Sequence, residues 1–278
     1  MALTGLQIQK LLPKTNCKEC GSNTCLAFAM KLAARKAEIS ECPDASEEAK
    51  RVLSEAYQPP VRGVRLGPDR SLKLGEETVL YRHERTFVNQ TALAVNLNDT
   101  DETASVDAVL DAVREYALER VGEVLRIDMV AVSQKGSDPE AFAALANRAW
   151  RETDKPLVLR SGDPDALERA ATAVRGSHSV LAAADPETAD SLWPVAREHQ
   201  HALAVTAPDL DRLVALTARI KDAGFDDLLL QLQTSSLAEA FQSNSIARRA
   251  ALRQNYRPLG YPLLRFIESE DLLEGTVE

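Results

Sequence analysis

From residue 91 onward the chain alternates short, β-prone apolar runs with longer stretches of helical periodicity, and that alternation leaves few folds open. The runs are TALAVNL at 91, RIDMVAVS at 126, PLVLRS at 156, SVLAAA at 179, ALAVTA at 202, DLLLQL at 227 and YPLLRF at 261. The intervening segments carry apolar stripes at helical spacing, such as Val106, Val109, Leu110, Val113 and Ala117, or Leu210, Leu213, Val214, Leu216 and Ile220. Strands joined through helices run parallel, because a crossover back to the same sheet edge needs a dozen residues or more. Three strand candidates are followed by Asp-Pro, at Asp138-Pro139, Asp163-Pro164 and Asp185-Pro186, which predicts the cap and first turn of the next helix. No Gly-x-Gly-x-x-Gly or Walker loop follows any strand, which favours a barrel over a doubly wound nucleotide fold. The fold class expected is α/β, with a TIM-barrel-like (β/α) domain over 76–278 that is incomplete at about seven strands.

Four cysteines, Cys17, Cys20, Cys25 and Cys42, are the whole complement of the chain, and all lie in its first 42 residues. A disulfide-stapled secreted protein spreads cysteine through its fold, so local clustering points to metal. The spacing is Cys-x2-Cys-x4-Cys-x16-Cys. Three thiolates within nine residues can wrap three corners of a cubane while the fourth arrives from a separate segment. Four-cysteine zinc sites more often use two matched Cys-x2-Cys knuckles, and only one is present here. The spacing therefore predicts one 4Fe-4S cluster on these four residues, with structural zinc and uncoordinated or disulfide-paired cysteines as the alternatives. Gly21 lets the ligand loop turn, Thr24 is placed to cap a helix starting at Cys25, and Pro43 follows the last ligand as in bacterial ferredoxins. A thiolate at Cys25 then sits at the positive end of a helix dipole. Lys14, Lys18, Lys31, Arg35 and Lys36 bring positive charge near the site, either as a dock for an acidic electron donor or as an ordinary solvated face.

The domain boundaries expected are 1–57 for the cluster domain and 58–75 for a linker. SEEAKRVLSEAY, from Ser46, reads as a capped helix, and QPPVRGVRLGPDRSLKLG holds three prolines and three glycines in eighteen residues. ETVLYRHERTF reads as a polar strand or hairpin leading into the barrel domain. Residues 1–57 carry eight Lys and Arg against seven Asp and Glu, so the net charge of −9 lies almost entirely in the remainder. Without a basic run the chain is expected to bind no nucleic acid. No stretch approaches the roughly 18 apolar residues of a membrane span, and no secretory leader is visible, so it is expected to be cytoplasmic and to bind no membrane.

The carboxyl ends of the predicted strands offer Asn96, Asn98, Ser133, Gln134, Arg160, Ser161, Asp185, Thr206, Asp209, Gln233, Thr234, Arg265 and Glu268, polar groups without a recognisable catalytic pattern. His178 and His201 precede strands and fall on the opposite face, His199 ends a helix, and His83 lies in the lead-in segment. Trp150 and Trp193 sit in helical patterns as packing residues. No catalytic residue is assigned, and enzyme status is left open.

The stretch LTGLQIQKLLPKTNCKECGSNTCLAFAMKLAARKAEISECPDASEEAK, with QPPV, GEETVLYRHERTF and the late motif RPLGYPLLRF, resembles the large (gamma) subunit of the corrinoid iron-sulfur protein of the acetyl-CoA decarbonylase/synthase system. Small iron-sulfur modules of this kind occur in other electron-transfer subunits, so the barrel motifs carry the likeness. The resemblance implies an N-terminal 4Fe-4S domain, a TIM barrel and a C-terminal corrinoid (cobamide) domain. It implies partnership with a small barrel subunit, a methyltetrahydropterin methyltransferase, CO dehydrogenase/acetyl-CoA synthase and a low-potential electron donor, in the Wood-Ljungdahl pathway. The cluster's implied role is to return Co(II) corrinoid to Co(I). After Phe266 only twelve residues remain, too few for a further βα unit, so corrinoid is expected in the full assembly and not on this chain alone. Two other readings stay open: an electron-transfer protein without corrinoid whose barrel is a docking scaffold, and a barrel enzyme with an ancillary metal module.

Overall fold

A computed structural model describes residues 4–34, 36–81, 83 and 88–267, and the chain divides into two compact units, Met1–Pro59 and Pro60–Glu278. Among the described residues no helix is long and apolar enough to cross a membrane.

The first unit is helical. Helix α1 (Gly5–Leu11) starts in a capping box: the Thr4 N–H donates to Gln7 Oε1 at 2.8 Å, and the Gln7 N–H returns to Thr4 Oγ1. Helix α2 (Cys25–Ala33) and helix α3 (Glu47–Tyr57) follow, with a 3-10 turn at Ile39–Glu41 between them. The Ser46 hydroxyl accepts from the Ala49 N–H at 3.1 Å, which makes Ser46 the cap predicted for α3. Ile8, Leu12, Phe28, Leu32 and Leu53 form a small core that also takes in Cys25 and Cys42.

The second unit opens with a hairpin where a linker was expected. Strands β1 (Val64–Leu66) and β2 (Leu72–Leu74) pair antiparallel, with Val64 and Leu66 buried and Arg65 exposed. Three-residue strands set among Pro and Gly carry too little periodicity to stand out from a linker composition; their burial comes from packing under a distant sheet. No strand forms over 76–81, and the rest of the lead-in segment predicted as a strand or hairpin lies largely outside the described residues.

Next come β3 (Ala94–Asn98), α4 (Thr103–Glu115), a hairpin of β4 (Leu118–Arg120) and β5 (Glu123–Leu125), β6 (Met129–Ser133), α5 (Pro139–Thr153), β7 (Leu157–Arg160) and α6 (Pro164–Ala173). β8 (Val180–Ala184), α7 (Ala189–His199), β9 (Ala202–Ala207), α8 (Leu210–Asp222), β10 (Leu228–Leu232) and α9 (Leu237–Gln254) complete the series. The sheet is parallel in the order β3-β6-β7-β8-β9-β10, each strand beside its successor, as in a (β/α) barrel. Val130, Val132, Leu157, Leu159, Leu181, Leu203 and Leu230 face the helices, while Met129, Ala131, Val158, Val180, Ala202 and Leu229 face inward, where they meet the β1–β2 hairpin, Leu264 and Phe266. This period-2 division over two covered faces explains runs that read as continuously apolar.

The seventh run adds only a bridge. Leu263 pairs parallel with Leu230, whose N–H donates to the Pro262 carbonyl and whose carbonyl accepts from the Leu264 N–H, both at 2.8 Å. The unit is thus an open, TIM-barrel-like α/β fold of six strands plus one bridge among the described residues, where seven strands were expected. The β4–β5 hairpin was not expected at all. Its turn places Val121 and Gly122 at φ +53° and +78°, the mirror-image turn that suits tight hairpins, although valine at positive φ gives no sequence signal for it.

Asp138 and Asp163 cap α5 and α6, accepting from the Glu140 and Asp165 N–H groups at 3.0 Å. Asp185-Pro186 behaves differently. Asp185 accepts from the Glu187 and Thr188 N–H groups and closes a turn, and α7 starts only at Ala189.

Candidate metal centre

The N-terminal cysteines sit on irregular backbone that particular side chains hold in place. Lys14, Asn16, Lys18 and Gly21 all have positive φ, and the Gly21 N–H closes a turn on the Lys18 carbonyl at 2.9 Å. A Cβ at Gly21 would meet nothing within 4 Å, so glycine is favoured there by its φ of +69° and not by crowding. Thr24 caps α2, accepting from the Ala27 N–H at 3.0 Å, which puts Cys25 at the first position of the helix as predicted. The Cys25 N–H, one of the orphan donors of the helix start, is taken by Asn16 Oδ1 at 2.8 Å. Cys42 follows the 3-10 turn, its N–H donating to the Ile39 carbonyl.

Cys17 is exposed, Cys20 half-buried, and Cys25 and Cys42 buried, all as free thiols. Burial pushes the Cys42 thiol up, the Asp44 backbone N–H works against that, and repulsion from Cys20, Cys17 and Cys25 adds to the rise. Cys25 and Cys42, 17 residues apart in the chain, are buried in the same small core, with Cys20 packed against it. Ser22, beside the ligand loop, is buried with its hydroxyl unpartnered, the kind of donor that a sulfur-rich group can satisfy. These residues fit an iron-sulfur group: a thiolate at a helix start is favoured by the dipole, and buried thiolates need a cation to offset their charge. Among the described residues no three His, Cys, Asp or Glu side chains are gathered to hold a single metal ion. Tetrahedral zinc with bonds of about 2.3 Å draws its sulfurs to about 3.8 Å from one another, whereas a cubane gives each thiolate its own iron.

Asn16, Ser22 and Asp44 were not picked out from the sequence. Asn16 had a legible signal, since asparagine directly before a ligand loop readily takes left-handed backbone. Lys14, Lys18, Lys31 and Lys36 are exposed, and Arg35 lies outside the described residues.

The carboxyl ends of the sheet are polar but spent on structure. Ser133 Oγ donates to Asn96 Oδ1 at 2.6 Å, Asn96 Nδ2 donates to Asn98 Oδ1, and Asn98 is tied to Asp101. Ser161 bonds Gln134, Asp209 caps α8, and Arg265 Nη1 donates to Thr234 Oγ1 at 2.7 Å. Burial pushes the Asp185 carboxyl up, but bonds from the Thr188 N–H and hydroxyl and the Glu187 N–H outweigh it and leave the group below the usual range. Arg160 lies over the Phe266 ring at 4.2 Å. Thr206 and Gln233 sit at the ends of β9 and β10, and Glu268 lies outside the described residues.

The histidines serve packing. His201 accepts from the Ser179 N–H at 3.1 Å and faces the Ala171 carbonyl at 3.0 Å, and burial pushes it down to about 4. His178 Nδ1 meets the Gln200 carbonyl, His199 lies against Thr172, and His83 stacks on Tyr81. Trp150 and Trp193 pack on the helix side of the core.

Residues 12–43 match the family described as a putative Fe-S cluster, and residues 63–269 match that of the CO dehydrogenase/acetyl-CoA synthase delta subunit. The second match alone covers well over half of the chain. The chain belongs to the CO dehydrogenase/acetyl-CoA synthase delta subunit family. Its similarity extends across both units of this family member. It is 34% identical to the corrinoid/iron-sulfur protein large subunit of Moorella thermoacetica over 100% of this chain and 63% of that protein. Against the acetyl-CoA decarbonylase/synthase complex subunit gamma it is 32% identical in Methanopyrus kandleri and 30% in Methanocaldococcus jannaschii, over 94% of this chain in both and 57% and 55% of those proteins. The expected likeness to large (gamma) subunits is borne out, and the chain spans about three fifths of the length of these relatives. A solved dihydropteroate synthase of Xanthomonas albilineans superposes with a TM-score of 0.40 at 16% identity, over 63% of this chain and 71% of that one, a likeness too loose to bear on the site.

Proposed function

We propose that Cys17, Cys20, Cys25 and Cys42 hold one 4Fe-4S cluster, and that this delta-subunit family member uses it to deliver single low-potential electrons to a corrinoid in the acetyl-CoA decarbonylase/synthase system. The observation that carries the reading is that Cys25 and Cys42, from two separate segments, are buried in one small core with Cys20 packed against it. When bound, the cluster would supply one electron, itself passing from reduced to oxidised, and so return Co(II) to the Co(I) state that accepts methyl. The chain's residues supply the setting. Thr24 and Asn16 fix the start of α2 so that its positive end lies at Cys25, and the Asp44 N–H donates to the Cys42 sulfur. Exposed Cys17 keeps the site within electron-transfer reach of a docking partner, and exposed Lys14 and Lys18 flank it with positive charge suited to an acidic donor.

The corrinoid, the small barrel subunit, the methyltetrahydropterin methyltransferase, CO dehydrogenase/acetyl-CoA synthase and a low-potential electron donor are the partners this reading calls for, within the Wood-Ljungdahl pathway. Relatives named as subunits of that system support it. Cysteines kept as reduced thiols fit a cytoplasmic setting. The test is anaerobic purification of the whole chain, assay of iron and sulfide, and stopped-flow mixing of the reduced protein with Co(II) cobalamin, with and without a co-expressed small barrel subunit. Four irons and four sulfides per chain, with Co(I) appearing as the cluster reoxidises, is the expected result. Zinc in place of iron defeats the cluster assignment; a reducible cluster that leaves cobalt at Co(II) in both mixtures transfers the electron role to a partner without corrinoid.

A further inference from the structure

The β1–β2 hairpin meets the parallel sheet at its amino end and leaves a polar pocket there. The Gly67 N–H donates to the His178 carbonyl at 3.2 Å, which ties the hairpin to the residues leading into β8. Beside that tie a cavity of about 360 Å³, at the small end of ligand-site volumes, opens between the hairpin, the end of α7 and the connection from α8 to β10. Arg62 and Asp226 form part of its wall as an ion pair at 2.9 Å. The other charged residues of the lining are Arg65, Arg70, Arg197 and Asp227, three positive against one negative in a chain of net charge −9. His201 also lines the pocket, neutral and with both ring nitrogens already engaged.

Each of the three arginines comes from a different segment. Arg65 is the exposed residue of β1 between buried Val64 and Leu66, so the alternation of the strand fixes its direction. Arg70 stands in the turn after β1 at φ +55°, its N–H donating to the Gly67 carbonyl at 2.9 Å. Its guanidinium lies 3.5 Å from His178 Nδ1, but that nitrogen faces the Gln200 carbonyl at 2.9 Å and is therefore itself a donor, so it cannot accept from Arg70. Arg197 sits in the last turn of α7, where the negative helix end steadies its charge without supplying a carboxylate. Elsewhere in this acidic unit arginine meets carboxylate, as in Arg148–Asp107, Arg169–Glu140 and Arg219–Asp190. Among the described residues Arg65, Arg70 and Arg197 make no ion pair, although Asp227 lines the same pocket. Several planar guanidinium forks around one hollow match the several oxygens of a phosphate-type anion. We infer that this pocket binds a phosphate-class oxyanion, free phosphate or the phosphoryl group of a small metabolite, held by Arg65, Arg70 and Arg197. The cysteine loop contributes no residue to it.

The experiment is equilibrium dialysis of radiolabelled inorganic phosphate against the anaerobically purified whole chain, at constant ionic strength set with chloride, with unlabelled phosphate or phenyl phosphate as competitor. Saturable uptake of one ion per chain is expected. Arg70→Gln and Arg197→Gln should each weaken it on the order of tenfold, the loss of one charge-assisted bond. Asp227→Asn removes a repelling carboxylate and should tighten binding. Arg249→Gln makes the same change of charge at an exposed residue of α9 outside the pocket and should leave binding unchanged. All four substituted side chains are exposed, and thermal melting establishes that each variant is folded. Stronger competition by phenyl phosphate than by phosphate supports the site as one for a phosphorylated metabolite, and the reverse order supports it as one for the free ion. Uptake that does not saturate, wild-type uptake in both Arg70→Gln and Arg197→Gln, or an equal loss in Arg249→Gln overturns the site.

Discussion

The two units reach a stable structure by different means. The N-terminal unit has a core of a few side chains around Phe28 and Leu32, four positive-φ residues in its first 21, and cysteines as two of its buried groups. The second has a continuous core on the helix face, buried apolar side chains on every strand of the parallel sheet, and Asp or Ser caps on α5, α6, α8 and α9. A unit of about 60 residues buries too little apolar surface to fold with a margin and commonly relies on a metal or disulfide, whereas one of over 200 residues does not. Iron should thus be part of the fold in one unit and irrelevant to it in the other. Both tryptophans, Trp150 and Trp193, lie in the second unit, so their fluorescence follows that unit alone.

The largest expected effect is on removing the proposed cluster, by chelation or as Cys25→Ala or Cys42→Ala. The N-terminal unit should lose all its folding energy, about 5 kcal/mol or less for so small a core, and hydrogen-exchange protection across α1 and α2 should vanish. Tryptophan-monitored unfolding of the second unit should move by less than about 0.5 kcal/mol. Persistent protection in α1 without iron would break the contrast.

The converse change is Phe142→Ala, which empties a fully buried position on α5 and should cost about 3–5 kcal/mol in tryptophan-monitored denaturation, with iron content unchanged. A drop in iron content would mean that the units are coupled.

Acid should also separate the units. His201 is held neutral, its folded value about 4 against about 6.5 in the unfolded chain. Between those values the unfolded chain binds the extra proton, so the second unit loses stability as pH falls from about 6.5 to 4, on the order of 2–3 kcal/mol in all. Denaturant midpoints read by tryptophan across that range should show this slope, and His201→Gln should flatten it. An unchanged slope in the variant would assign the acid sensitivity to other groups.

The smallest effects compare caps across the two units. Asp209→Ala should cost the second unit about 1 kcal/mol and leave it folded. Thr24→Ala removes a similar amount from a unit with little to spare, so the same loss should appear as faster iron release to a chelator. Equal chelation rates in Thr24→Ala and wild type would show that the ligand loop is held without the cap.

Much of the fold was legible in the sequence, because it rests on short-range regularities. Six of the seven apolar runs became strands of one parallel sheet, since a βα repeat written in period 2 and period 3.6 leaves little else to build. The caps at Ser46, Asp138 and Asp163 and the helix start at Cys25 follow from residue type and position alone. What the tertiary structure decided depends on contacts between residues distant in sequence. The hairpin in 58–75 exists because Val64 and Leu66 find an alanine-lined sheet face, and the run at 261 stops at one bridge beside Leu230. Around the thiols, residue spacing alone identified the four candidate ligands. Only the folded chain brought Asn16 to the Cys25 N–H and left the Ser22 hydroxyl buried beside them, because hydrogen-bond partners are chosen in space and not along the chain.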